Sequence, residues 1–280
     1  MAGRSSKRAR GIRRLWPLLV AVLGLPTACA RDANGDPTSS TVARVPDPWR
    51  AVARAIAPDG PYRVVRVERP GEIRGVISLS GAPMLRPTAL TGDDASVCGA
   101  EVPDESVQAS GHRLADALVW VSDVRAGRAL PRDRRADLAI ERCRFVPRVL
   151  ALVTGTTVNV QSLDATAHHA RFYSESQGEL IARIFTVDRW SVVPSARIAA
   201  MPGLVRVRGA DHPFARGYVA VFDNPYFAVT DRYGRFAISG LAPGTYDVRI
   251  WHERAPAPVD HMVTVKPNRV VDLDVELELQ

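Results

Sequence analysis

The sequence contains no G-x-S-x-G elbow, no H-E-x-x-H helix and no glycine-rich phosphate loop. These absences remove the short signatures of serine hydrolases, zinc metalloproteases and nucleotide-phosphate enzymes. His252 and Glu253 are adjacent but lack a second histidine at zincin spacing, and read as a strand-end pair. No sequence feature draws two carboxylates into one cleft, as glycoside hydrolysis requires. None of the three cysteines forms a C-x-x-C pair. There is no persistent basic stripe with stacking aromatics, so a nucleic-acid partner is excluded. The nearest basic cluster, Arg132, Arg134 and Arg135, contains Asp133 and reads as a solvated loop. No internal repeat is visible.

The N-terminus carries Arg4, Lys7, Arg8, Arg10, Arg13 and Arg14 without one acidic residue, then an apolar run over residues 15–25. That run falls short of the about 20 residues needed to span a bilayer, and it has the proportions of a signal-peptide hydrophobic region. Leu25, Pro26, Thr27, Ala28 and Cys29 are similar to the lipobox of bacterial lipoproteins, although Pro26 stands where leucine is usual. That likeness implies cleavage after residue 28 and lipid on Cys29, hence a membrane-anchored exported protein. Ala28, Cys29 and Ala30 also satisfy an ordinary small-x-small cleavage site, which would free the chain. An uncleaved anchor is the third reading.

Export accounts for most of the basicity. The chain has a net charge of +7 and a pI near 9.8, and six of the positive charges precede Cys29, leaving +1. With Cys29 lipidated, Cys98 and Cys143 remain as an even pair in an oxidising compartment, which favours a disulfide. Such a bridge would restrict the unfolded chain by about 4 kcal/mol. A metal or redox role, or two buried free thiols, are the other readings of this pair. The 21 prolines and 20 glycines suit short strands and turns better than long helices, and 46% hydrophobic residues suffice for a core.

Residues 29–46 carry too little apolar surface to fold and read as a flexible tether. Asp47 followed by Pro48 has the form of an N-cap and first helical position. Trp49, Val52, Ala53 and Ile56 then fall on one helical face, packed on a sheet or lying on a membrane surface, and residues 58–60 stop the helix. Residues 47–70 thus comprise a short helix and a lead-in strand at 62–67. From there the period is two: strands are expected at 72–80, 117–122, 137–141, 149–153, 157–162, 170–173, 180–187 and 204–207. Residues 84–113, with Cys98, read as loop. The last 65 or so residues give at least five further strands with turns at about 8–12 residue spacing, the pattern of a β-sandwich. The expected fold class is all-β.

Two resemblances extend this reading. Thr230, Asp231, Gly234, Phe236, Ile238, Gly240, Leu241, Pro243, Gly244, Tyr246 and Val248 set two turns and an alternating core face. This run resembles the carboxypeptidase regulatory-like, or transthyretin-like, β-sandwich module, placed at 216–280. Such modules often serve as accessory domains, some with carbohydrate-binding-like labels. Residues 143–149, Gly155, Asp164 with His168, His212 with Pro213, residues 217–230 and 251–253 resemble exported cupredoxin-like proteins in which such a module adjoins a copper-type sandwich. That places a cupredoxin-like domain at 71–215.

A blue-copper centre takes two imidazoles, one thiolate and an axial thioether. The resemblance maps the first histidine to His168 and the C-x-x-H-P-W-M stretch to residues 209–215. His212 keeps its place, while Gly209 stands at the cysteine and Ala215 at the methionine. His168 and His212, with His169 beside them, are the candidate metal ligands, and otherwise read as relics bonding to loop carbonyls. The resemblance puts Cys143 on a different strand, paired with Cys98, and both argue against its replacing the lost thiolate. The expected function is therefore a non-catalytic binding or accessory lipoprotein of the cell envelope, with an envelope protein or glycan as partner and no cofactor. A metal-binding or electron-transfer protein with a modified histidine site, copper being the metal, is the alternative, and a hydrolase using the histidines a distant third.

Overall fold

The computed structural model describes residues 48–57, 60–81 and 84–280. The signal segment, Cys29, the tether and Asp47 lie outside the described residues. So do residues 58–59 of the helix stop and residues 82–83 of a turn. The described chain is all-β apart from two short helices, α1 (Pro48–Ile56) and α2 (Gly92–Cys98).

Nine strands form one sandwich. Arg144–Val146, Arg135–Glu141, Thr157–Ser162 and Val192–Ser195 make one sheet. Val149–Val153, Arg216–Phe222, Gly203–Gly209, His168–Ser174 and Glu179–Thr186 make the other. Alternation fills the space between them: Val158, Val160, Ala170, Phe172, Val205, Val207, Val219 and Val221 point inward into one buried cluster. Val192–Ser195 escaped the sequence reading because Pro194 weakens its strand signal; it sits on a sheet edge, where the missing N–H is tolerated.

The second sandwich draws on both ends of the described chain. Gly71–Ser80 pairs with Arg235–Leu241 on one side, and with Val270–Asp272 and Val275–Glu278 in parallel on the other. Leu118–Val121 lies between Phe227–Val229 and Gly244–Trp251 in the facing sheet. Its core includes Ile73, Ile77, Val119, Phe236, Ile238 and Ile250. The sheets therefore interleave segments from both sides of the sequence-based 215/216 boundary. Gly71–Ser80 and Leu118–Val121 belong with the C-terminal strands, and Arg216–Phe222 belongs with the first sandwich.

A third apolar cluster joins the two sandwiches. Tyr218, Ala220 and Phe222 point away from Val219 and Val221, while Leu118 and Trp120 point away from Val119 and Val121. Both strands are buried on both faces. Helix α1 seals this layer with Val52, Ala53 and Ile56, as the sheet-packing reading of its apolar face anticipates. Trp49 stacks on Tyr218 at 5.1 Å and meets Trp251 edge-on at 5.6 Å. The Trp120 indole N–H donates to the Ala55 carbonyl at 3.3 Å.

Residues 84–113 are more structured than a loop. They contain α2 and the paired two-residue strands Thr88–Ala89 with Glu101–Val102, and Ala109–Ser110 with Arg113–Leu114. Seven residues are too few to display a helical period in sequence. Asp93 and Asp94 in the first turn suit the positive end of the helix dipole.

Beside the inter-sandwich layer lies a charged network. Arg148 and Glu253 form a buried ion pair, and the Tyr218 hydroxyl donates to Glu253 Oε2 at 3.1 Å. Burial pushes the Asp116 carboxyl up from 3.8 to about 6, opposed by Arg148 and reinforced by Glu253 and Glu105. Burial also lowers His252 from 6.5 to about 4, helped by Arg148 and Arg254.

These two shifts act in opposite directions on stability. Between about 4 and 6.5 the unfolded chain holds more protons at His252 than the native state does, so that contribution is present above 6.5 and lost as pH falls through about 4. Between 3.8 and about 6 the native state holds the extra proton at Asp116, so that contribution is present below 3.8 and lost as pH rises through about 6. The slopes largely offset each other. Urea midpoints across this range should show Asp116→Asn losing stability on acidification more steeply than the parent, and His252→Gln less steeply. Identical slopes in all three proteins would contradict the assignment.

Candidate functional site

The two expected histidines meet at one end of the first sandwich. His168 opens the strand His168–Ser174 on its inward face, and the loop after Gly203–Gly209 carries His212. Their rings lie 5.4 Å apart, centroid to centroid, and both side chains are buried. His169 does not join them. Successive side chains of a strand face opposite sides, and His169 points outward, its Nδ1 2.7 Å from Asp211 Oδ2 and its ring stacked on Phe185 at 4.5 Å. Burial would raise the Asp211 carboxyl, but the hydrogen bonds from the His169 side chain and amide win and lower it.

Cys98 and Cys143 form a disulfide, with Cα atoms 5.2 Å apart. The bridge sits against the histidines. Cys98 Sγ is 3.7 Å from His212 Nε2, which also lies 3.2 Å from Asp94 Oδ1. Donor atoms of Cys98, Cys143 and His212 fall within 4.8 Å of one another, and so do those of Cys143, Asp164 and His168. The expected pairing of Cys143 with Cys98 is present, but its separation from the histidines by strand placement is not: Cys143 lies in the turn at the hairpin tip between Arg135–Glu141 and Arg144–Val146, which folds over the same end of the sandwich.

That tip is strained. Glu141 pairs with Arg144, so Arg142 and Cys143 alone make the turn, and both have positive φ, 48° and 61°. Such two-residue turns favour Asn-Gly because side chains resist this conformation. Asp164 compensates. Its Oδ1 accepts the Arg142 amide at 2.7 Å, and its Oδ2 accepts the Cys143 amide at 2.8 Å and faces His168 Nε2 at 2.9 Å. Burial would raise the Asp164 carboxyl, but the hydrogen bonds from His168 and the two amides outweigh it and lower it. Asp94 and Asp164 acquire these roles only in three dimensions. The sequence signal for Asp164 is its place four residues before His168 in the cupredoxin-like pattern.

The residues at the remaining copper-ligand positions leave no room for a blue centre. A Cβ on Gly209 would stand 2.7 Å from the His212 carbonyl oxygen and 3.0 Å from Ala215 Cβ. The 209–215 loop is closed by the Gly209 amide donating to Ala215 O at 3.0 Å and the Ala215 amide to His212 O at 2.9 Å. Both sulfurs are spent in the disulfide, so the donor set is two imidazoles and Asp164, without thiolate or thioether. A blue-copper ion does not fit these residues.

Next to this cluster opens a cleft of about 280 Å³. Five guanidinium groups line it, Arg86, Arg144, Arg148, Arg216 and Arg254, against the carboxylates of Asp104, Glu105 and Glu253. Arg144 pairs with Glu105 and Arg148 with Glu253. Arg216 donates to the carbonyl of Pro213 and has no carboxylate partner among the described residues, whereas Arg254 donates to the main-chain oxygen of Gln280. Phe214 lines the cleft and also packs on the cluster of Cys98, Val102 and Cys143. Neither composition nor motif pointed to this cleft, because its arginines come from distant segments.

No protein-family model matches the chain, and no curated protein matches it. Several solved structures are similar over a part of it. A copper-containing nitrite reductase from Thermus scotoductus SA-01 is 20% identical with a TM-score of 0.27, over 31% of this chain and 22% of that one. Amicyanin from Paracoccus versutus is 18% identical with a TM-score of 0.27, over 33% of this chain and 84% of its own. A purple cupredoxin from Nitrosopumilus maritimus is 19% identical with a TM-score of 0.26, over 31% of this chain and 98% of its own. Likeness this local transfers no activity, and the chemistry of the site follows from its own atoms.

Two substitutions test the geometry. Asp164→Ala leaves two turn amides and one buried imidazole without their acceptor, and should cost about 3 kcal/mol in a denaturant titration; a change below about 0.5 kcal/mol would contradict the role given to Asp164. Gly209→Cys puts a thiol at the position where the resembling cupredoxin-like pattern has one, but forces the 209–215 loop to move. It should destabilise by about 1–3 kcal/mol and should not give an intensely blue Cu(II) protein; a strong sulfur-to-copper band in this variant would contradict the steric account.

Proposed function

We propose that the protein is a non-catalytic, extracytoplasmic binding module that holds a carboxylate-bearing ligand in its arginine-lined cleft. In this reading the copper-type end of the sandwich has become a structural crosslink. The observation that carries the proposal is the excess of guanidinium groups, five against three carboxylates, converging on one open cavity, with Arg216 unmatched by an acid among the described residues. Arginine's planar fork suits bidentate recognition of carboxylates. Trp49, stacked on the buried Tyr218, also lines the cleft and offers apolar surface beside the charges, a combination that fits an acidic sugar chain.

Other features agree with this reading. The disulfide belongs to an oxidising compartment. No helix among the described residues is long and apolar enough to cross a membrane, and a lipid on Cys29 would supply the attachment. The C-terminal run that resembles carboxypeptidase regulatory-like modules fits an accessory role. An envelope glycan is therefore the partner chosen for the test.

Titration of the full chain with an oligogalacturonate and with its neutral oligogalactose counterpart separates the charge contribution from the sugar contribution. Binding is expected for the acidic oligomer only, weakening as salt rises. Arg216→Gln with Arg254→Gln should lower affinity at least about tenfold, consistent with losing two charge-assisted contacts. Equal binding of the two oligomers, or binding indifferent to the double substitution, would contradict the proposal.

A further inference from the structure

We infer that reduction of the Cys98–Cys143 disulfide converts the buried cluster into a binding site for a thiophilic d¹⁰ cation, Zn(II) or Cu(I), held by both thiolates, His212 and one donor of the Asp164–His168 pair. The inference does not depend on what the arginine cleft binds. It differs from a blue-copper centre because the sulfurs come from helix α2 and the 142–143 hairpin, not from the 209–215 loop.

The geometry points to this in three ways. First, the donors are already gathered. The sulfur of Cys143 belongs to both groups of donor atoms that lie within 4.8 Å of one another. Tetrahedral zinc with Zn–S of about 2.3 Å and Zn–N of about 2.0 Å keeps its donors roughly 3.3–3.8 Å apart. The 3.7 Å between Cys98 Sγ and His212 Nε2 matches that spacing. Second, the donor types match the cation: thiolate and imidazole together suit Zn(II) and Cu(I). Third, a fixed carboxylate stands at the centre of the group. Asp164 holds the Cys143 amide and faces His168 Nε2, while Asp94 Oδ1 lies 3.2 Å from His212 Nε2 and must turn toward solvent when that nitrogen takes the cation. Hydrogen bonds to a ligating group orient it and raise its affinity for metal.

The chemistry balances with an external dithiol as reductant. Its two thiols become its own disulfide, and Cys98 and Cys143 take up the two electrons and two protons as thiols. Cation binding then releases those two protons to solvent. Disulfide and cation exclude each other, because each uses the same two sulfurs. Access is through the segment bearing α2. Cys98, Val102 and Cys143 form a small apolar cluster separate from the three main ones, and the Asp94 side chain beside them is 55% exposed. A segment held by so little apolar contact opens at lower cost than the sheets beneath it.

The test uses the full-length protein, oxidised, and reduced anaerobically with a phosphine that is then removed. Co(II) and Zn(II) are added singly as probes. The reduced protein should take up one ion per chain and, with Co(II), show tetrahedral ligand-field bands and a sulfur-to-cobalt charge-transfer band. The oxidised protein should show neither. His212→Gln in the reduced protein should weaken binding at least about tenfold, the scale set by losing a ligand or its support. Cys143→Ser should abolish it, and Cys29→Ser should leave it unchanged. If Cys143→Ser fails to fold, His212→Gln decides the matter. Reduced protein that titrates for all its thiols yet binds no ion overturns the inference. So does binding that is indifferent to His212→Gln, or lost with Cys29→Ser, and so does a reduced chain that stays unfolded with Zn(II) present.

Discussion

Burial of two strands on both faces is the constraint on which the rest of the molecule depends. Arg216–Phe222 sends Val219 and Val221 into one sandwich and Tyr218, Ala220 and Phe222 into the layer shared with the other. Leu118–Val121 does the same from the opposite side. With α1 closing this layer, the sandwiches cannot separate without exposing Trp120, Phe222 and Trp251. Burying side chains of this size contributes about 2–3 kcal/mol each. The joint also fixes the position of what lies at its edge. The 209–215 loop leads directly into Arg216–Phe222, so the histidine cluster and the arginine cleft are both anchored to a strand buried on both faces.

The candidate site shows one set of positions carrying a different chemistry. Two histidines stand where the cupredoxin resemblance places them, but the position it gives to the thiolate is a glycine packed against its own loop. Sulfur is present at the same end from other segments, as a crosslink. Asp164 makes this arrangement hold together by accepting the amides of a turn whose two residues both have positive φ and by facing His168. The hairpin, the disulfide and the histidine therefore share one buried carboxylate. Phe214 extends that unit to the cleft, since it packs on the disulfide cluster and lines the cavity.

Much of the fold was legible in the sequence because strands report themselves by alternation. The strands at 149–153 and 157–162 coincide with those in the structure, and the helix at 48–56 follows from Trp49, Val52, Ala53 and Ile56. What failed to show was non-local. Nothing local says that Gly71–Ser80 pairs with strands near residues 238 and 271, so a boundary drawn along the chain could not follow the sheets. The site was legible in part. His168 and His212 were found by resemblance, but a strand read as starting at residue 170 left His168 and His169 equivalent. Extended to His168, the same period of two places one inward and the other outward. The even cysteine count anticipated the bridge, yet its contact with the histidines depends on a hairpin tip folding over the sandwich end.

The central claim is that Cys98 and Cys143 are joined to each other at the histidine cluster when the protein is in its own compartment. Mass mapping of the non-reduced protein, alkylated on isolation to trap free thiols, tests it directly. The expected result is a single linked pair of peptides containing Cys98 and Cys143, with neither cysteine alkylated. Stoichiometric alkylation of both cysteines without prior reduction would contradict the account.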